Sequence, residues 1–200
     1  MNDKFFDLKR EKQDRIINAC LKVFAENGFR HASTDEMVRE ASISKGLLFH
    51  YFASKMGLYS FLFDYSVKYM LFEYSRVVGT KEKDYFKLRE KMESAKLNVL
   101  RNYPYMDAFI EKGILENQLD VIEATEESRN TYAEQMLWYT QQVKTPKLKH
   151  GLSEERLNKM ITYMVQGLTR EQMNIGSYQP EMLYEQICEY METLKKMATE

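Results

Sequence analysis

The sequence points to an all-α fold, and three observations support that expectation. Three Pro and 8 Gly stand against 13 Met and 14 Tyr in 200 residues, a balance that favours long helices over a sandwich or barrel. Apolar residues recur at i, i+3 and i+4 along most of the chain. Residues 33–55 read as two short helices joined by a tight turn, with a third helix starting at their end. The length suffices for one or two small domains with a real core.

A first helix is expected from Lys9 to Asn27, where Ile16, Ala19, Cys20, Val23 and Phe24 make one stripe and Gly28 is placed to stop it. Phe29 is expected to fold back into the small core. The lead-in holds Lys4, Lys9, Arg10, Lys12 and Arg15, interleaved with Asp7, Glu11 and Asp14. Such a run is either a solvated face or a source of cations for a polyanion. Ser33 and Glu36 form a capping box for the next helix, which puts Met37, Val38 and Ala41 on one face. Ser42-Ile43-Ser44 breaks that pattern, and Ser44 is placed to cap a helix ending near Phe52.

On that helix Leu48 and Phe52 fall on one side and pack inward. Gly46, Leu47, Phe49 and His50 spread over the other side. Bulky apolar residues and a Gly on an exposed face suit a helix pressed into a DNA major groove. There Gly46 admits close approach, His50 meets a base edge and Leu47 lies against a thymine methyl. Lys45, Tyr51 and Lys55 flank the face within reach of phosphates. The alternative is a helical hairpin whose Leu and Phe face another helix of the same chain.

The next helix, Lys55 to about Val78, is apolar nearly all round, which marks it as a buried connector. Lys55, Asp64, Lys68, Glu73 and Arg76 interrupt it too often for a membrane span. Residues 79–83 are expected to be a loop. Helices are then expected at about Asp84–Asn102, from Pro104 through Leu115, and at Asp120–Val143, with a break at Thr145–Gly151. Ser153 opens a helix with Leu157, Ile161, Met164, Leu168 and Ile175 in near-heptad spacing, and Pro180 begins a last one with Leu183, Ile187, Tyr190, Leu194 and Met197. These two amphipathic helices can pair inside one subunit or with the same helices of a second subunit.

Charge is nearly balanced: residues 1–60 hold ten Lys and Arg against eight Asp and Glu, and the remainder nineteen against twenty-two. Cys20 and Cys188 form no C-x-x-C pair, and no signal peptide heads the chain, so a reducing cytoplasm is the expected compartment. His31, His50 and His150 lie in different segments, without a metal-binding helix, phosphate loop or nucleophile elbow. No catalytic residue, metal or cofactor is therefore expected.

Thr34-Asp35-Glu36-Met37-Val38 together with Ser44-Lys45-Gly46-Leu47-Leu48-Phe49-His50-Tyr51-Phe52-Ala53-Ser54-Lys55 resembles the DNA-binding signature of TetR-type transcriptional regulators. The resemblance extends upstream through residues 16–29 and covers roughly the first 60 residues. It implies an all-helical homodimer of about nine helices per chain. Residues 1–54 would be a three-helix helix-turn-helix DNA-binding domain, and residues 55–200 a larger helical ligand-sensing and dimerisation domain. The implied DNA-contacting set is Thr34, Ser44, Lys45, Gly46, Leu47, Phe49, His50, Tyr51 and Lys55. Lys45, Gly46 and His50 would sit at or near bases, and Thr34, Tyr51 and Lys55 would clamp the backbone. Phe49 stands where the family usually has a tyrosine, and Leu47 where small or hydroxylated residues are frequent.

The resemblance further implies a ligand pocket, for which Tyr69, Met70, Tyr74, Tyr103, Phe109, Tyr132, Met136, Trp138, Tyr139 and Met164 are candidates. The implied dimer interface comprises Leu157, Met160, Ile161, Met164, Leu168, Leu183, Ile187, Tyr190 and Leu194. The implied function is a ligand-responsive regulator, a repressor. It would bind a palindromic operator on double-stranded DNA as a homodimer and be released by a small apolar or amphipathic effector. An all-helical enzyme and a helix-turn-helix protein-interaction module are the alternatives.

Overall fold

A computed structural model describes residues 3–79, 82–174 and 179–200. Thr80 and Lys81 of the expected loop, and Ile175 of the expected stripe, lie outside the described residues. Among the described residues there are nine α-helices and no strand: α1 Arg10–His31, α2 Thr34–Ala41, α3 Lys45–Phe52, α4 Lys55–Val77, α5 Tyr85–Leu100, α6 Met106–Ile114, α7 Leu119–Gln141, α8 Glu154–Asn174 and α9 Pro180–Ala198. A 3-10 turn, Asp3–Phe5, precedes them.

Gly28 does not end α1 outright. Its φ of 69° and ψ of 176° kink the helix, and one more turn forms because the Ala32 N–H bonds the Gly28 carbonyl. The kink frees the carbonyls of Ala25 and Glu26 from their usual donors. Lys112 of α6 supplies replacements, donating to both at 3.0 and 2.8 Å. α5 stops at Leu100, sooner than expected, and Tyr103 in the following turn is drawn wholly into the core.

The chain folds as two compact units, residues 1–71 with 102–134, and 72–101 with 135–200. α4 and α7 each run from one unit into the other. The first unit therefore holds the two short helices, α1, α6 and the leading parts of α4 and α7. Its core is aromatic: Phe24 meets Tyr59 at 5.0 Å between ring centroids, and Tyr59 meets Phe109 at 5.2 Å. Gly113 of α6 makes room for the Phe63 ring, since a Cβ there would fall 2.4 Å from Phe63 Cε2. Parallel contacts fasten α7 to α4, with Ser60 donating to the Ala124 carbonyl at 2.7 Å and Ser128 to Asp64 at 3.1 Å.

In the second unit α9 packs against both α5 and α8. Asp84 caps α5 by accepting from the N–H groups of Phe86 and Lys87, and its other oxygen holds Lys195 of α9 at 3.1 Å. The buried Glu73 carboxylate accepts from Arg76 and Asn98, which compensates its desolvation. Tyr85 donates to Asn158 at 2.6 Å and so ties α5 to α8.

Candidate nucleic-acid interface

The two short helices are built by local chemistry. Ser33 caps α2, its Oγ accepting from the Glu36 N–H at 3.4 Å, and Ser44 caps α3 by accepting from Leu47 at 3.2 Å. Between them Ser42 takes the left-handed conformation, φ 52° and ψ 49°, which lets Ile43 N–H return to the Val38 carbonyl at 3.0 Å and turns the chain sharply. Arg15 of α1 donates to the last carbonyl of α2, Ala41, at 3.0 Å. Met37, Ala41, Leu48 and Phe52 are buried, so both helices sit on the core through the expected face.

The opposite face of α3 is open. Gly46 is exposed, and a Cβ built there meets nothing within 4 Å. Leu47 and Phe49 are partly exposed, and His50 is exposed. Among the described residues no helix covers Gly46, which counts against a hairpin packed through that face. Lys45 forms a 2.9 Å ion pair with Asp35 in which both side chains are largely exposed. Such a pair is worth about 0–1 kcal/mol, so a phosphate can take the lysine over at little cost.

Two of the flanking residues sit differently from expectation. Tyr51 is only 6% exposed, its ring edge-on to Phe5 at 5.6 Å, because its flank of α3 turns toward the 3-10 turn rather than solvent. Its ring belongs to the core, against Phe5 and Phe52. Lys55 points its ammonium at the last turn of α1, donating to the Arg30 carbonyl at 3.3 Å and lying 4.9 Å from the Phe29 ring centroid. Burial there lowers its pKa. A helix C-terminus and a ring face already satisfy this cation.

Four residues outside the expected contact set shape this segment. Phe5 wedges beneath α3, Gln13 holds the segment carrying it, Arg15 caps α2, and Lys112 grips the kink of α1. The Phe5-Phe6 pair inside a charged run was the one available signal for the first.

Residues 16–60 match the family model described as bacterial regulatory proteins, tetR family. The match spans 45 of the 200 residues and likens that segment to tetR-family regulatory proteins. The match coincides with α1 through the first turns of α4, the segment whose capped turn and open helix face have just been described. The HTH-type transcriptional regulator YuxN of Bacillus subtilis is 35% identical over 74 residues, 37% of this chain and 24% of that protein. The regulator UidR of Escherichia coli strain K12 is 46% identical over 44 residues, 22% of each. The chain thus aligns with under a quarter of the length of these curated relatives.

Solved structures extend the likeness of fold beyond that segment to most or all of the chain. A TetR family transcriptional regulator from Chloroflexus aurantiacus J-10-FL superposes with a TM-score of 0.64 at 15% identity, covering 100% of this chain and 98% of that one. FadR from Bacillus subtilis, solved in complex with stearoyl-CoA, gives 0.55 at 16% identity, covering 88% and 96%. Among the described residues no helix is long and apolar enough to cross a membrane.

The ten residues expected around a ligand are shared between the two units. Tyr69, Met70, Tyr103, Phe109 and Tyr132 lie in the first, and Tyr74, Met136, Trp138, Tyr139 and Met164 in the second. Within the first, Tyr103 packs edge-on to Tyr69 at 5.2 Å and donates to Asp14 at 2.5 Å, while Met70 and Phe109 are buried core. Burial, with the hydrogen bonds to Asp14 and Tyr65, raises the Tyr103 pKa. Within the second, Tyr139 meets Tyr74 at 5.9 Å and Trp138 at 5.0 Å, but Trp138 is 46% exposed. A cleft of about 570 Å³ between α5 and α9 is lined instead by Lys87, Glu90, Cys188, Glu189, Glu192, Lys195, Lys196 and Thr199, none of them among the ten.

The expected interface stripe also needs correction. Leu157, Ile161, Leu168, Leu183 and Ile187 are buried within the single chain, where α9 packs on α8 and α5. Met160 and Tyr190 remain exposed, and Met164 and Leu194 are half-buried. Tyr163, which the stripe did not include, is 67% exposed beside Met160 on the same face of α8.

Proposed function

We propose that this chain is a transcriptional repressor that binds a palindromic operator as a homodimer and is released by a small apolar or amphipathic effector. The observation that carries the reading is the open face of α3. A helix capped at Ser44 and seated on the core by Leu48 and Phe52 turns Gly46, Leu47, Phe49 and His50 outward. That composition suits the floor of a major groove better than bulk water.

In this reading α3 of each subunit enters one half-site, with Lys45 transferred from Asp35 to a phosphate and Thr34 and Tyr51 bracing the backbone. Dimerisation through the exposed apolar side chains of α8 and α9, among them Met160, Tyr163 and Tyr190, spaces two such helices about 34–36 Å apart. The stearoyl-CoA held by the FadR neighbour supports an effector with a long apolar part. The effector acts by population shift: it binds the DNA-free arrangement better, or it releases nothing.

The test uses the full chain, sedimentation and a fluorescent duplex carrying the upstream region of its own gene. Dimeric protein that binds this duplex and is displaced by stearoyl-CoA or another long-chain acyl compound supports every part of the reading. A monomer removes the palindrome. Binding that no acyl compound relieves removes that effector class.

A further inference from the structure

The aromatic pair in the charged lead-in has a position that bears on how α3 is aimed. Phe5, at the end of the 3-10 turn, is 0% exposed. Its ring lies 5.0 Å from Phe52 and 5.6 Å from Tyr51, the last two residues of α3, and 5.6 Å from Phe61 on α4. Phe52 and Phe61 are themselves 5.2 Å apart, so the Phe5 ring completes a cluster at the α3–α4 joint. Of the three buried side chains on α3, two therefore lean on a residue outside the helix-turn-helix itself.

We propose that Phe5 is a positioning residue for DNA recognition: the N-terminal turn is a wedge that sets the angle of α3. This rests on the reading of α3 as the groove-entering helix. Eight residues make too short a helix to hold its own shape in water, so its orientation is set by what it packs on. The joint is already tight on its other side. Only Ala53 and Ser54 separate α3 from α4, Ser54 caps α4 by accepting from Gly57 at 2.9 Å, and a Cβ on Gly57 would fall 2.3 Å from the Phe52 carbonyl oxygen. With that side fixed, the remaining freedom is a tilt of the α3 C-terminus toward the space Phe5 fills.

The wedge is held in turn by α1. The Gln13 amide donates to the carbonyls of Phe6 at 3.1 Å and Leu8 at 2.8 Å, and Leu8 N–H returns to the Phe5 carbonyl at 3.3 Å. Next to Tyr51 stands His50, its ring edge-on at 5.6 Å, so a tilt at Tyr51 moves a groove-facing side chain. The chain of contacts runs from Gln13 through Phe5 and Tyr51 to His50.

The experiment compares Phe5→Ala, Phe5→Leu and Gln13→Leu with the parent chain by amide hydrogen exchange and by DNA affinity, well below the melting temperature. Expected for Phe5→Ala is exchange about tenfold faster across residues 44–53 with residues 34–41 unchanged, and a fall in the ratio of operator to random-duplex affinity. Phe5→Leu restores most of both. If Phe5→Ala does not fold, Gln13→Leu, which leaves every ring in place, is expected to show the same selective pattern more weakly. Equal loosening of residues 34–41 and 44–53, or exchange that does not change, overturns the proposal and assigns Phe5 to general core stability. If the parent chain binds no duplex, the DNA-binding reading fails, and the exchange pattern alone decides whether Phe5 holds α3.

Discussion

Replacing Gly46 by Ala sets two physical effects against each other. Gly46 occupies the first turn of α3 with ordinary helical dihedrals, and a Cβ there meets no atom of the chain within 4 Å. Ala in a helix interior is about 1 kcal/mol better than Gly, and somewhat less in a first turn, so the variant gains up to that amount. For a protein of this size about 1 kcal/mol raises the melting temperature by roughly 2–4 °C. The same methyl, placed where the backbone approaches base edges, displaces α3 from the groove. The loss is comparable to one good base contact, about 1–3 kcal/mol, or roughly 5- to 150-fold in affinity. The assay is a thermal melt paired with fluorescence anisotropy on a 20–30 bp operator at about 150 mM salt. A variant that is more stable and binds more weakly is the expected result. A variant that is more stable and binds equally well would show that the open face of α3 does not enter the groove.

Further expectations rest on other contacts. Gly113→Ala destabilises the first unit by about 1–3 kcal/mol despite better helix propensity, because the new Cβ falls 2.4 Å from a Phe63 ring already packed on Tyr59 and Phe109; an unchanged melting temperature argues against that packing. Lys45→Ala flattens the salt dependence of DNA binding by about one unit per site, whereas Lys55→Ala, whose ammonium bonds the Arg30 carbonyl, chiefly lowers the melting temperature. Tyr163→Glu places a charge among exposed apolar side chains of α8 and is expected to yield monomers in sedimentation, while a dimeric variant removes α8 from the interface. Burial pushes the Cys20 thiol from 9.0 and the Tyr59 hydroxyl from 10.0 up to about 12 each. Their contribution to stability is fully present below pH about 9 and is lost as pH rises toward 12, since the unfolded chain releases these protons first. Melts between pH 8 and 11 and the rate of Cys20 alkylation check this; fast alkylation at pH 8 contradicts it.

Legibility in the sequence followed the range of the physics involved. The caps at Ser33 and Ser44 were readable because capping joins residues three apart. The inward pair Leu48 and Phe52 was readable because helical periodicity fixes their direction relative to one another. Tyr51 was not, since its flank of α3 is neither inward nor outward until Phe5 arrives beside it from a turn with no periodicity of its own. Lys55 was similarly ambiguous, because a cation beside α3 serves a phosphate or a helix C-terminus with the same chemistry. The stripes of α8 and α9 use one pattern for two purposes, and only packing shows that Leu157, Leu183 and Ile187 are spent within the chain while Tyr163 is left outside. The aromatic and Met candidates in the middle of the chain fare likewise, as core and pocket draw on the same residues.

The claim that α3 reads DNA as one of a symmetric pair is tested most directly by selecting bound duplexes from a random pool at about 150 mM salt, using protein refolded free of bound small molecules. The account predicts recovery of an inverted repeat whose half-sites lie about 10–10.5 bp apart, or a multiple of that. A single unrepeated site would contradict the dimer. No enrichment at all would contradict the assignment of α3 to the major groove.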